Sequence, residues 1–474
     1  MSGSITQFFI SLLLIAISIA IVVAFVWTQG NISHKRLWLS LLVVFLLVIL
    51  VLNLRPHWSV EKKHRAFFEE FLSETSDSLQ RKLFNNEAVS DIESEYQTFS
   101  RLVSGTCQGS VTANNSVEII TEGRRKYELL LRDLENATES INMEYYHFGI
   151  DQGSRDVRDM LIKKAQEGVK VKFINENIGN FPIAYPYYNR MKKSGVEVIR
   201  FTGLKHFFGD FLTKLNFRNH RKIVVIDGKI GYTGGMNIND HYFRMWRDTH
   251  LRVEGDAVAS MQLIFLNSWV ISGGKREEPY SFYFPPQDEH PENKLIQVVA
   301  DEPGLDFHPI ETSYEWALLH AKDYFYIQTP YFVPSDPVLC ALKAAARSGV
   351  DVRVMVPKKA DTAFMGPANK SYFEELAKSG VKFYMHDGEF MHSKTFVCDD
   401  YLSCIGTANL DYRSFTLNYE DNAYIYDRDI ALENKALFEK DMEQCEECPL
   451  EEILSWKWYE RFIQKFVRLF DRQL

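Results

Sequence analysis

The 474 residues are 46% apolar and 25% charged, a balance that excludes a largely disordered chain. Length allows about three domains of ~150 residues, or one duplicated body with an appendage. The net charge is −9, yet the first 60 residues hold Lys35, Arg36 and Arg55 and no Asp or Glu, so the remainder is acidic and lacks the basic footprint of a nonspecific nucleic-acid binder.

Two apolar runs open the chain, Phe8 to Trp27 and Leu37 to Leu54, of 20 and 18 residues. Each approaches the ~20 residues that a helix needs to cross a bilayer. The short joint 28–36 predicts an antiparallel transmembrane helical hairpin over 1–56. A cleaved signal peptide fits poorly, for there is no basic leader and no small-residue cleavage site. Lys35 and Arg36 lie in the loop, against Arg55, Lys62, Lys63 and Arg65 after the second run. That bias places the body on the cytoplasmic side of a multi-pass cell-membrane protein. Six cysteines in so long a chain do not form a disulfide framework. Cys445-Glu-Glu-Cys448 reads as two helix-surface thiols rather than a zinc site.

Residues 57–115 read as a connector, helical at 67–72 and 90–102. Strand and helix signals then alternate. Strands are expected at 142–148 and 169–174 around a helix at 157–165, and again at 325–332 and 350–356 around a helix at 337–347. Lys-Ser-Gly-Val occurs at 193–196 and returns at 378–381, which marks one structural unit used twice. The polar, turn-rich stretch 285–293 separates lobe 1 (116–284) from lobe 2 (294–474). Repeated β-α-β grammar implies a helix-covered sheet in each.

The chemistry lies in a repeated pattern. His220-Arg-Lys222 is followed by four residues and Asp227, and His392-Ser-Lys394 by four residues and Asp399. Each copy continues to a small-residue turn ending in Asn237 or Asn409, 17 residues after its histidine. A carboxylate follows 28 residues after each histidine, Asp248 and Glu420. His and Lys at i and i+2 on a strand face one side. Glycine in the turn lets the backbone bring Asn close to an anion. Two copies about a pseudo-twofold axis offer two of each group to one phosphodiester.

Lys222, Lys394, Asn237 and Asn409 would bind phosphate oxygens and the charge of the transition state. One histidine would attack phosphorus to give a phosphohistidine, and the other would protonate the leaving alcohol. Asp248 and Glu420 would each hold the Nδ1–H of the histidine in their own copy. The catalytic set is thus His220, Lys222, Asp227, His392, Lys394 and Asp399, although the two motif aspartates suit a turn or salt bridge better than chemistry. No metal or other cofactor is required, because the lysines supply the positive charge.

These residues carry a resemblance. Segments 219–238, 246–255, 329–334 and 406–423 resemble those of the phospholipase D superfamily, and within it the bacterial cardiolipin synthases. The resemblance implies an α/β fold of two α/β/α sandwich lobes sharing one site. It also implies phosphatidyl transfer between two phosphatidylglycerol molecules with release of glycerol, His220 as nucleophile and His392 as general acid. Met391 and Ser393 depart from the Leu and Ala usual beside that histidine. Glu144, Tyr145 and His147 match a pocket-lining segment and are candidates for binding the second substrate.

Two stretches are placed to meet lipid. Before His220 the first half has a 13-residue excess carrying Leu204, Phe207, Phe208, Phe211, Leu212 and Leu215, which reads either as an acyl-chain guide or interfacial element or as a helix that simply packs on the body. At the carboxy terminus, Lys457, Arg461, Lys465, Arg468 and Arg472 form one helical stripe, and Trp458, Phe462, Phe466 and Leu469 another. That amphipathic helix could lie on anionic lipid, or dock on the body with its basic face solvated. The alternative functions are a phospholipase D-type hydrolase, a nuclease, which the acidic body disfavours, and a membrane-tethered scaffold, which two intact motif copies disfavour.

Overall fold

The computed structural model describes residues 58–104, 109–177, 179–180, 185–201 and 217–473. Both amino-terminal apolar runs, Cys107 and the insertion 204–215 lie outside the described residues. Among the described residues no helix is long and apolar enough to cross a membrane. The chain divides into two compact units, 1–62 with 202–217 and 63–201 with 218–474. The second unit holds every described strand.

Its first half contributes β1 (Val111–Thr112), β2 (Asn115–Ile120), β3 (Ser140–Tyr145), β4 (Lys170–Glu176), β5 (Glu197–Phe201), β6 (Arg218–Asn219), β7 (Lys222–Ile226), β8 (Ile230–Gly234), β9 (Trp246–Arg247) and β10 (His250–Gly255). Its second half contributes β11 (Ile296–Asp301), β12 (Tyr324–Gln328), β13 (Phe332–Val333), β14 (Asp351–Pro357), β15 (Lys382–His386), β16 (Phe390–Met391), β17 (Thr395–Cys398), β18 (Leu402–Gly406), β19 (Leu410–Asp411), β20 (Asn418–Tyr426) and β21 (Cys445–Glu447). The first sheet runs β2-β10-β8-β7-β3-β4-β5, and the second contains β11-β20-β18-β17-β12-β14-β15 in matching order. Three parallel strands come from the β-α-β units, while β7 and its equivalent β17 are antiparallel to their neighbours. The expected strands and helices of both β-α-β units are present to within a few residues at their ends.

The two sheets are joined through a shared core. The helix Ala257–Ile271 is apolar on every side and buried along nearly its whole length, as such a helix must be. Its Val258, Met261 and Ile264 pack with Ile223, Val225, Leu251 and Val253 of the first sheet and with Val298, Ile405, Ala423 and Ile425 of the second.

The segment before the sheets is more than a connector. Helices Trp58–Glu74, Asp77–Phe84 and Ser94–Ser104 stand where helices at 67–72 and 90–102 were expected, and β1 adds to the edge of the second sheet. Phe99 packs on Trp316, Tyr424 and Tyr426, so this amino-terminal piece completes the core of the second half.

Cys445 lies on the edge strand β21 and Cys448 is buried just beyond it, in place of two thiols on a helix surface. The carboxy-terminal run is helical over Trp458–Arg468, after a separate short helix Leu450–Ser455. Its basic stripe is not simply solvated. Arg468 pairs with Glu375 at 2.6 Å and stacks over Tyr372, and Arg461 pairs with Glu374 at 3.5 Å.

Candidate active site

Two short strands set the site. β6 runs parallel beside the start of β20, and β16 runs parallel beside β9. The ladders extend by one bond each, His220 N–H donating to the Tyr419 carbonyl at 2.9 Å and His392 N–H to the Arg247 carbonyl at 2.7 Å. Each histidine therefore sits beside the residue that follows the carbonyl it bonds, Glu420 for His220 and Asp248 for His392. Glu420 Oε1 and Oε2 lie 2.9 and 3.0 Å from His220 Nδ1, and Asp248 Oδ2 lies 2.8 Å from His392 Nδ1. The expected partners are present but their pairing is corrected. Each carboxylate orients the histidine of the other half, because the ladders that align them run between halves.

The carboxylates are themselves held. Glu420 accepts from the Thr407 hydroxyl at 2.7 Å and the Asn418 carboxamide at 3.0 Å. Asp248 accepts from the Thr249 N–H at 2.7 Å. The place equivalent to Thr407 is Gly235, where a Cβ would fall 2.1 Å from Asp248 Oδ1. Glycine makes room for Asp248 at the spot where the other half supplies a hydroxyl donor.

Both lysines are buried with the histidines. Lys222 Nζ donates to the His220 carbonyl at 2.6 Å. Lys394 Nζ donates to the His392 carbonyl and lies 2.9 and 3.2 Å from Nδ1 and Nε2 of that ring. Burial, assisted by the neighbouring ammonium groups and opposed by the carboxylates, lowers the His220 pKa to about 4 and that of His392 to about 3. Burial also lowers Lys222 to about 8 and Lys394 to about 7. Glu420 stays below its ordinary value, its burial outweighed by His220, Lys222 and Thr407. The Lys394 charge is felt at His220 and the Lys222 charge at His392, so the two motif copies act within one electrostatic site.

Asn237 accepts the His147 N–H at 3.1 Å and donates to the Tyr242 hydroxyl at 2.8 Å. Asn409 is buried in the equivalent turn of the second half, its N–H on Ser414 Oγ at 3.2 Å and its side-chain oxygen without a partner.

Other expected residues are placed differently. Asp227 and Asp399 are not with the histidines but at the far ends of β7 and β17, in tight turns at φ of 52° and 49°. The Asp227 carboxylate accepts from the backbone N–H groups of Thr138, Glu139 and Ser140, each at 2.8 Å. Asp399 does the same for Lys322, Asp323 and Tyr324, at 2.8, 3.0 and 3.0 Å. Each ties the entry of a central strand to the turn, which removes both from the catalytic set. Glu144 is fully buried, receives the Asn219 carboxamide at 2.9 Å, and is raised by that burial to about 7. Tyr145 points into the core below the Lys126 ammonium. His147 is half-buried, with Nδ1 2.9 Å from the Gly179 carbonyl.

Sequence reasoning missed the aromatic walls. The Tyr146 ring meets His220 edge-on at 4.9 Å. Tyr242 and Trp246 meet His392 at 5.4 and 5.2 Å. Alternation on β3 carries Glu144 and Tyr146 to one side, a signal that could have favoured Tyr146 over Tyr145. Two arginines were missed as well, Arg221 fully buried and Arg247 half-buried. Arg221 bonds the Glu420 carbonyl at 3.1 Å and Glu302 at 2.9 Å, and Arg247 bonds the Asp248 carbonyl at 2.8 Å and Asp441 at 3.0 Å.

A doubled seven-strand order, with paired His-Lys motifs meeting at the seam, defines a mixed α/β protein of the phospholipase D type. The family described as cardiolipin synthase, PLD-like domain, matches residues 130–269 and 316–442. The major cardiolipin synthase ClsA of Bacillus subtilis is 34% identical, covering 98% of this chain and 99% of that protein. Cardiolipin synthase 1 of Staphylococcus epidermidis is 35% identical, covering 87% of this chain and 86% of that protein. A phosphatidylserine synthase from Haemophilus influenzae shares the fold, with a TM-score of 0.56 at 15% identity over 75% of this chain and 92% of its own. The chain belongs to the cardiolipin synthase family of the phospholipase D superfamily. It is accordingly a phosphatidyltransferase.

Proposed function

We propose that the chain makes cardiolipin from two phosphatidylglycerol molecules through a phosphohistidine. The observation that carries this reading is the pair of crossed His-carboxylate dyads around one site with two buried ammonium groups. His220 is the nucleophile. Lys222 makes its hydrogen bond to the His220 carbonyl, whereas Lys394 bonds the His392 carbonyl and also lies 3.2 Å from His392 Nε2. The order implied by family resemblance is the same.

His220 Nε2 attacks phosphorus of the first lipid and the P–O bond to the headgroup glycerol breaks. His392 gives that oxygen its proton, and glycerol leaves. The terminal glycerol hydroxyl of the second lipid then yields its proton to His392 and attacks phosphorus, breaking the P–N bond and releasing cardiolipin. Lys222, Lys394, Asn237 and Asn409 hold the non-bridging oxygens through both steps. Phosphate binding brings negative charge against the depressed histidines and raises the one that must act as acid. His147, beside Asn237, lines the second-lipid side. The groups required are all side chains of this protein, and no cofactor enters the scheme.

The two lobes 116–284 and 294–474 form the catalytic body in this reading. The apolar runs 8–27 and 37–54 tether it as a transmembrane hairpin, with the body on the cytoplasmic face of the cell membrane. Tethering raises the effective concentration of a lipid substrate at the site. The test is product analysis by mass spectrometry after incubating the purified chain with phosphatidylglycerol vesicles. Cardiolipin and glycerol in equal amounts are expected. Phosphatidic acid as the main product would instead make the protein a phospholipase D-type hydrolase.

A further inference from the structure

The helix Trp458–Arg468 is docked in an unusual sense. Two of its three basic side chains are engaged with the protein, Arg468 on Glu375, Tyr372 and the Ser371 carbonyl, and Arg461 on the Ile453 carbonyl. Val467 is its only buried apolar side chain. Its aromatic side faces outward. Trp458, Phe462, Phe466 and Leu469 are 79, 65, 53 and 76% exposed along one stripe, with Tyr459, Ile463 and Phe470 beside them. A solvated helix would turn those two faces the other way. A row of this size and composition, with Trp and Tyr among its members, is the kind of surface that beds into a bilayer interface.

Charge and position narrow the occupant. Lys457, Lys465 and Arg472 stand exposed around the stripe, a basic rim suited to an anionic surface. The helix packs on Met365–Lys370, and the residue before that helix, Phe364, is also an exposed aromatic. Three residues earlier, Asp361 receives the Tyr331 hydroxyl at 2.6 Å and its charge reaches Tyr242. Tyr242 is the ring against His392. The exposed aromatics thus continue, through Phe364, toward the stretch that holds Asp361 and its partner Tyr331.

We propose that the outward face of Trp458–Arg468, continued by Leu469 and Phe470, beds into the anionic bilayer and holds the catalytic mouth against the lipid surface. The proposal rests on the reading of phosphatidylglycerol as substrate. The guanidinium contacts fix the helix on the body, so the aromatic row and the site move as one piece. A lipid leaving the bilayer beside Phe364 then has a short path to the histidines.

The test uses the full chain reconstituted in phosphatidylglycerol vesicles that contain a lipid with a photoactivatable diazirine in its acyl chain. Illumination and peptide mapping are expected to place label within 458–470. Phe462→Ser with Phe466→Ser should lower the rate on bilayer phosphatidylglycerol roughly tenfold, a loss in line with partial withdrawal of two aromatic side chains. The rate on short-chain, monomerically dispersed phosphatidylglycerol should stay within about twofold, since neither residue touches the reacting groups. A second variant, Trp458→Ser with Leu469→Ser, should repeat the split. Cardiolipin formation without label in 458–470 would overturn the proposal. Equal loss on both substrate forms would do so as well. Label in 458–470 with no cardiolipin formed would uphold the membrane face and refute the substrate reading.

Discussion

Glu420 grips His220 from the opposite half of the duplication, with both carboxylate oxygens within 3.0 Å of Nδ1, and Asp248 does the same for His392 at 2.8 Å. Neither half contains a complete His-carboxylate pair. The two halves must therefore stay together for chemistry, which explains the buried apolar helix and shared core that weld them.

Crossed pairing has a kinetic signature. Glu420→Gln should misplace the His220 tautomer and lower kcat by about 10³-fold or more, by analogy with carboxylate loss in serine-protease triads. Asp248→Asn should act equally through His392. Double-mutant cycles are expected to show strong coupling for His220 with Glu420 and for His392 with Asp248, and little for the within-half pairs. Coupling of His220 to Asp248 in place of Glu420 would refute the crossed arrangement.

The site's pKa values set a pH profile. With His220 near about 4 and His392 near about 3, the free enzyme presents a neutral nucleophile above that range. With Lys394 and Lys222 near about 7 and about 8, the phosphate-binding charge is lost as pH climbs past them. kcat/KM on dispersed short-chain phosphatidylglycerol should rise from acid pH, reach a plateau, and fall above pH 7–8. A rate still climbing through that range would contradict a binding role for charged lysines. The histidines also carry a stability sign. Their folded values lie below the unfolded value, so the unfolded chain binds more protons from about pH 6.5 down to about 4 at His220 and about 3 at His392. Their contribution to stability is present above that window and disappears as pH falls through it.

Much of this was legible in the sequence. Paired motifs with equal spacings brought His220, Lys222, Asn237, His392, Lys394 and Asn409 onto the page, because spacing along a strand-turn-strand unit is local information. The crossing of Glu420 and Asp248 was not legible. It depends on β6 meeting β20 and β16 meeting β9, pairings of two residues each that leave no periodic trace. Arg221 and Arg247 were hidden for a related reason, since a buried guanidinium reads as a surface charge until its distant partners Glu302 and Asp441 are known. The outward turn of Trp458–Arg468 likewise rests on Glu374 and Glu375, far back in the chain.

The motif aspartates yield a separable prediction. Asp227→Ala would leave three backbone N–H groups at the start of β3 without their acceptor, and would place alanine at a φ of 52°. A loss of about 1–3 kcal/mol in unfolding free energy is expected. Asp227→Asn, which tolerates the left-handed backbone and keeps one acceptor oxygen, should lose less. In both, kcat per folded molecule should hold within a few-fold. A thousandfold fall in kcat for Asp227→Asn at unchanged stability would return the residue to the catalytic set.

The seam between the halves can be tested at Arg221. It is fully buried, and its guanidinium bonds the Glu420 carbonyl, Ser268 Oγ, the Asp301 carbonyl and Glu302 Oε1. Arg221→Met would keep most of the volume and leave the Glu302 charge buried without its main counterion. Breaking a buried pair from one side costs about 3–5 kcal/mol, more than replacing both partners by apolar groups. Denaturant unfolding should show a loss of that order for Arg221→Met, and Arg221→Met with Glu302→Leu should recover part of it. The recovery should be incomplete, because two carbonyls and a serine hydroxyl still lack their donor. Because Arg221 also fixes the Glu420 backbone, the single variant should lower kcat while leaving the Asp248 and His392 coupling intact. If Arg221→Met unfolds at the wild-type denaturant concentration, the arginine is not what holds β20 against the first half.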